Sequence, residues 1–151
     1  MIFCDTSTVA KLYVPETESV AVRRRLESED IVYVSELVRA ELMAVFHRRL
    51  REDKWTRADF SAAVRQFTAD DIGGFWTWLP LDGTIAAAAA RIFASLPETV
   101  FLRTADCLHL VTAVQHNLPE IFTHDKHQIA ASQALGIVPV VIRSSDRVPP
   151  V

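Results

Sequence analysis

The sequence predicts an α/β fold: three layers, α/β/α, around a central and mostly parallel sheet. Short apolar runs recur along the chain at Ile2–Cys4, Ile31–Val34, Trp76–Leu79, Ile121–Thr123 and Val138–Ile142. Most are apolar throughout, as strands buried on both faces are. Longer segments with helical periodicity separate them, which suits crossover connections between parallel strands. With 151 residues, half of them apolar and 23% charged, the chain can bury one substantial core.

Each element has a local reason. Ile2–Cys4 is a short strand, and Thr6 opens a short helix to about Val14, stopped by Pro15. A second helix covers Glu18 to Leu26. Ile31–Val34 is β-branched and short, so it reads as a strand. Ser35 can cap a long helix to about Arg51, and Thr56 another through Phe67 towards Asp71, ended by Gly73-Gly74. After the Trp76–Leu79 strand, Asp82 or Thr84 starts an alanine-rich helix that ends near Leu96, before Pro97. Thr104 can cap a helix to about His116. Lys126 to Leu135 is helical, with Gly136 in a C-cap position. Residues 1–143 are expected to form a single domain, and 144–151, with Pro149-Pro150, a frayed tail.

Composition narrows the function classes. The net charge of −3 rules out a strongly basic footprint over the chain as a whole. The densest basic stretches are Arg23-Arg24-Arg25 and "HRRLREDK" (His47 to Lys54), and each also reads as a solvated helix face. The longest aliphatic run, Ile85 to Ala90, stops at Arg91. A membrane span needs roughly 18 to 20 such residues, so no membrane association is expected. No basic segment followed by a signal-like apolar stretch opens the chain. Cys4 and Cys107 make no disulfide framework and read as buried, reduced thiols. A cytoplasmic protein is the expectation.

In an open α/β sheet the site lies at the carboxyl ends of the strands. Asp5 directly follows the first strand, and His124 and Asp125 follow Ile121–Thr123. Asp5 and Asp125 can face one crevice, and each can also serve as a helix N-cap. Glu41 has Leu37, Ala44 and Val45 as helical neighbours, so it sits on an apolar side of its helix. A carboxylate there needs a partner, water or a metal; Arg48 and Arg39 are candidate ion-pair partners. Glu36 is explained by the helix dipole alone. Asp106 lies in the first turn of the helix after Thr104, where the dipole favours it. It also stands at the mouth of a buried helix, "CLHLVTAV". If the four carboxylates converge, their repulsion calls for divalent cations. Hard oxygen ligands without a compact His/Cys cluster suit Mg²⁺ or Mn²⁺.

Four stretches carry a resemblance: "FCDTSTVAKLYVPE" (Phe3 to Glu16), "VSELVRAEL" (Val34 to Leu42), "LRTADCLHLVTA" (Leu102 to Ala113) and "IFTHDKHQIAASQALGI" (Ile121 to Ile137). In this order they resemble the PIN-domain ribonucleases, above all the VapC-like toxins of type II toxin–antitoxin pairs. The resemblance spans nearly the whole chain and implies a PIN-like fold. Asp5, Glu41, Asp106 and Asp125 fill the family's acidic positions, with Asp5, Asp106 and Asp125 as metal ligands. Ser7 and Thr123 match hydroxyl positions that steady the carboxylates or a metal-bound water. The implied activity is phosphodiester hydrolysis of RNA with Mg²⁺ or Mn²⁺. One departure is Ala105 before Asp106, where a larger apolar residue is common. Arg103 can touch a phosphate or a partner. His124 and His127 lie outside the family's core pattern and read as surface residues. A toxin of this kind implies a cognate antitoxin and a homodimer. The aromatics Trp55, Phe60, Phe67, Phe75, Trp76 and Trp78 would supply either a partner groove or ordinary core.

Other readings fit less well. A haloacid-dehalogenase-like phosphatase wants a second Asp where this chain has Ser7. A phosphoacceptor receiver domain wants an acidic pair at the end of strand one. The spacing of Cys4, Cys107, His109, His124 and His127 matches no zinc pattern, and such residues in apolar segments read as core. The remaining alternative is a catalytically inert PIN-like binding module, and the presence of all four acids argues against it.

Overall fold

The computed structural model describes residues 1–142; the tail expected at 144–151 lies outside the described residues. Five strands, β1 (Ile2–Cys4), β2 (Val32–Ser35), β3 (Thr77–Leu79), β4 (Glu120–Phe122) and β5 (Val138–Val140), form one sheet in the order β3-β2-β1-β4-β5. Every pairing is parallel. The helices are α1 (Thr6–Ala10), α2 (Ser19–Glu27), α3 (Leu37–Arg51), α4 (Arg57–Ile72), α5 (Gly83–Ser95), α6 (Thr104–Gln115) and α7 (Lys126–Ala134).

Alternate residues of β1 face opposite layers, because a strand has period two. Ile2 and Cys4 join Val9, Val22, Leu26, Val38, Leu42 and Phe46 from α1, α2 and α3. Phe3 joins Ile85, Ala89, Cys107, Leu110 and Ala131 from α5, α6 and α7. Both faces of the sheet are therefore covered, as expected for α/β/α layering. Among the described residues, no helix is long and apolar enough to cross a membrane.

β1 is the central strand. From it the chain winds through β2 and β3 to one edge, then returns to β4 and β5 on the other side. The order reverses between β1 and β4, and such a switch point opens a crevice at the carboxyl ends of the strands. The backbone is tied across that gap: Asp5 N–H donates to the Phe122 carbonyl at 3.2 Å.

Several local expectations shift by one to a few residues. Ser35 is the last residue of β2, in register with Leu79, instead of the cap of α3. Glu36 takes the cap position with helical backbone angles and no side-chain cap bond. The Ser35 hydroxyl still accepts the Leu37 N–H at 3.2 Å. Thr104 is the first residue of α6, and Arg103 precedes it without a side-chain cap bond. The first helix is shorter than expected and ends at Ala10. Thr56 caps α4 as expected, and Asp59 completes a capping box.

The aromatic middle is core. Phe67 and Trp76 are buried, and Trp55, Phe60, Phe75 and Trp78 pack partly buried against the same cluster. Phe67 meets Tyr13 and Trp78 edge-on at 5.7 and 6.2 Å. The Arg39 guanidinium lies 3.6 Å from the centre of the Trp78 ring and pairs with Asp71 at 2.5 Å.

Candidate active site

Asp5 is 2% exposed, yet three donor groups surround its carboxylate. Oδ1 accepts the Thr8 N–H at 2.9 Å, so Asp5 caps α1. The Ser7 hydroxyl lies 2.9 Å from both oxygens. Thr123 donates to Oδ2 at 2.6 Å from the end of β4. His109 adds a favourable charge, but burial is the largest influence and holds the Asp5 carboxyl above its ordinary range.

Ser7 and Thr123 also build the crevice itself. Ser7 Oγ accepts the His124 N–H at 2.9 Å, joining the segments that follow β1 and β4. Thr123 Oγ1 accepts the Asp125 N–H at 3.1 Å. Asp125 caps α7: its Oδ1 accepts the N–H groups of His127 at 2.8 Å and Gln128 at 3.1 Å. The other oxygen lies 3.5 Å from Arg103 Nη1. Both readings of Asp5 and Asp125 therefore hold together: each caps a helix and each faces the crevice.

Asp106 projects from the first turn of α6. Burial raises its carboxyl pKa, the neighbouring Asp125 charge raises it further, and Asp5 adds to this against Arg103 and His109. Its Oδ2 is buried with no hydrogen-bond partner among the described residues. An unpartnered buried carboxylate oxygen costs free energy unless something positive meets it.

Glu41, on α3, does not pair with Arg48 or Arg39. Its Oε2 accepts from Thr6 Oγ1 at 2.5 Å and lies 2.7 Å from His109 Nε2. Burial alone would raise its pKa, but the bond and charge of His109 and the Thr6 hydroxyl hold it below the ordinary glutamate value.

All four acids, with Arg103 and His109, line one open cleft of about 750 Å³. Among the described residues, no three His, Cys, Asp or Glu side chains cluster closely enough to hold a metal ion as they stand. The donor set is nonetheless what a hard divalent cation takes: carboxylate oxygens, one unpartnered, with room for water. Cys4 and Cys107 are buried free thiols. His124 is half-buried, with Nε2 3.0 Å from the Ile142 carbonyl, so it belongs to the scaffold as much as to the surface.

His109 and Gln128 are the additions that sequence reasoning missed. Gln128 is fully buried, with Oε1 3.2 Å from Thr123 Oγ1. His109 reads as a core residue in "CLHLV", but it stands three residues after Asp106, on the same helical side. That spacing was the available signal.

Comparison with known proteins gives three kinds of result. No curated protein sequence matches the chain. Solved structures share the fold. VapC20 of Mycobacterium tuberculosis, described as a sarcin-ricin loop cleaving toxin, has a TM-score of 0.69 at 17% identity, covering 91% of this chain and 97% of that one. FitAcB from Neisseria gonorrhoeae has a TM-score of 0.69 at 23% identity, covering 95% and 98%. VapBC2 from Rickettsia felis, bound to a DNA fragment from its promoter, has a TM-score of 0.65 at 11% identity, covering 95% and 100%. At these identities the likeness is one of fold. The family model for the PIN domain matches residues 2–133, which takes in every acid of the cleft, and this chain belongs to the PIN domain family.

Proposed function

We propose that this chain is a ribonuclease that hydrolyses phosphodiester bonds in RNA with Mg²⁺ or Mn²⁺, as the toxin of a type II toxin–antitoxin pair. The observation that carries the reading is Asp106 Oδ2, buried and unpartnered in a cleft shared with Asp5, Glu41 and Asp125. Family membership and the toxin structures that share the fold support it.

In this reading Asp5, Asp106 and Asp125 hold the metal, which when bound acidifies water and relieves charge on the phosphate. Ser7 and Thr123 keep the Asp5 carboxylate aimed into the cleft. Glu41, ionised and fixed by His109 and Thr6, holds the attacking water in line. Arg103 touches a substrate phosphate or a partner. The partners are RNA, a cognate antitoxin and a second copy of the chain in a homodimer; the compartment is the cytoplasm.

The test is cleavage of RNA by the purified chain with Mg²⁺ or Mn²⁺ and after full chelation. Metal-dependent cleavage is expected. Cleavage that survives chelation overturns the metal assignment. Binding without cleavage in any divalent ion replaces the enzyme with an inert PIN-like module. An antitoxin should abolish cleavage on forming a complex, and light scattering should give twice the chain mass for the free protein.

A further inference from the structure

A chain of net charge −3 with five acids lining its cleft, Glu16 among them, repels a polyanion everywhere except at local cations. One wall of the cleft supplies them. Glu41, Val45 and Arg48 fall at i, i+4 and i+7 along α3, on one stripe, and all line the cleft, as does Arg51. At 1.5 Å per residue, Arg48 lies about 10 Å and Arg51 about 15 Å along the helix from Glu41.

Of the other cleft cations, Lys11 and Arg49 are held by acids, and Arg103 stands at the acid end beside Asp125, away from this wall. Lys11, 8% exposed, holds Glu16 at 2.6 Å and Glu18 at 3.1 Å. Arg49 lies 3.4 Å from Glu16, and Arg103 pairs with Asp125. Arg48 is exposed and has no ion-pair or hydrogen-bond partner among the described residues. Among the described residues Arg51 meets only Glu52, at 4.0 Å and with 69% of its side chain exposed.

We infer that the C-terminal half of α3 is a phosphate-binding track for a single RNA strand, in which Arg48 and Arg51 take the phosphates next to the one held at the acids. This rests on the ribonuclease reading and adds to it how the strand is held. A single strand fits because acid and cations follow one another along one helix inside one cleft. Contacts to backbone phosphates carry no base information, so the track would bind without sequence preference.

Salt dependence tests this directly. Each phosphate contact to a single strand contributes roughly 0.7 to the slope of log K against log salt. The full chain carrying Asp106→Asn, to keep the RNA intact, would be titrated with a mixed-sequence single-stranded RNA oligonucleotide. Arg48→Gln and Arg51→Gln should each lower the slope by about 0.7. Arg65→Gln, which removes the same charge from exposed α4 outside the cleft, should leave it unchanged. In the active chain, Arg48→Gln should raise KM several-fold with kcat nearly intact. Equal slopes for all three variants, while the parent binds RNA, would overturn the track and leave the ribonuclease reading standing. Weaker antitoxin binding with an unchanged RNA slope would overturn it too, and make the wall a protein contact. If the unmutated chain neither binds nor cuts RNA, the ribonuclease reading itself fails.

Discussion

His109 Nε2 lies 2.7 Å from Glu41 Oε2, and this bond joins α6 to α3 beneath the cleft. The imidazole is 2% exposed. An ionised carboxylate only accepts, so Nε2 carries the hydrogen. Nδ1 then has no partner among the described residues. The polar links of the buried histidine all run through Nε2, to Glu41 and, at 3.3 Å, to the Thr6 hydroxyl, and together they fix the rotamer of Glu41. His109→Ala would leave the carboxylate half-buried with Thr6 alone and open a cavity. A loss of about 2–4 kcal/mol in stability is expected from urea denaturation. RNA cleavage should fall roughly tenfold or more, mainly in kcat. His109→Gln can still reach Glu41 with an N–H donor and should recover most of the rate. If alanine and glutamine lose rate equally while both fold, His109 does not position Glu41.

The sheet was legible because its strands are apolar on both sides, and each of the five appears near its expected place. The misplaced caps have one cause. Ser35 and Thr104 are good cap residues, but sheet register draws Ser35 into β2 and the chain path makes Thr104 the first residue of α6. Strand ends depend on partners distant in sequence, and local propensity does not contain them. All four acids line one cleft: Asp5 and Asp125 were legible because each follows a strand, Glu41 because it interrupts an apolar helix face and Asp106 because it opens a buried helix. The Glu41 partner was not, because a histidine three residues after Asp106 looks like core until α3 and α6 are placed side by side.

Asp106→Asn tests the electrostatic account of the cleft. Asp5 and Asp106 both have carboxyl pKa values raised by burial, and in Asp106 by Asp125 as well. A raised folded value means that their contribution favours the metal-free fold below the ordinary aspartate range, near pH 4, and is lost as pH rises through the raised values. Glu41, held low, works in the opposite direction and is lost as pH falls. Metal binds the ionised carboxylates, so its stabilisation grows with pH. The rise in melting temperature on adding Mn²⁺ should therefore be larger near pH 8 than near pH 5. Asp106→Asn should raise the melting temperature of the metal-free chain by a few degrees at neutral pH, flatten the Mn²⁺ response and abolish cleavage. An unchanged Mn²⁺ response with full activity would remove Asp106 from the site.

Arg103 and Asp125 make a long, exposed pair at 3.5 Å, with the arginine side chain 56% exposed. Pairs of this kind contribute less than about 1 kcal/mol to stability. Arg103→Ala should therefore leave the unfolding midpoint nearly unchanged. Its effect should appear in binding: the acids lose a nearby positive charge, so Mn²⁺ affinity rises by a few-fold in calorimetry. RNA affinity falls, because a cation at the mouth of the cleft is lost. Movement of both affinities in the same direction would contradict this placement of the guanidinium.

Thr123 is fully buried and serves both acids at the switch point: it donates to Asp5 Oδ2 at 2.6 Å and accepts the Asp125 N–H at 3.1 Å. Thr123→Val keeps the shape and removes both bonds. The donated bond is charge-assisted, so about 1.5–3 kcal/mol of stability should be lost at neutral pH. That bond also opposes the upward pull of burial on the Asp5 carboxyl. Without it the pKa of Asp5 rises further, and a higher pH is needed to ionise the group for metal binding. The acidic limb of kcat/KM should move to higher pH, and metal affinity should fall roughly 10–100-fold. Thr123→Ser restores the hydroxyl but not the methyl group, so it should return the pH limb to its place while leaving about 1 kcal/mol of the stability loss. If valine shifts stability alone and leaves the pH limb fixed, Thr123 supports the fold and does not tune Asp5.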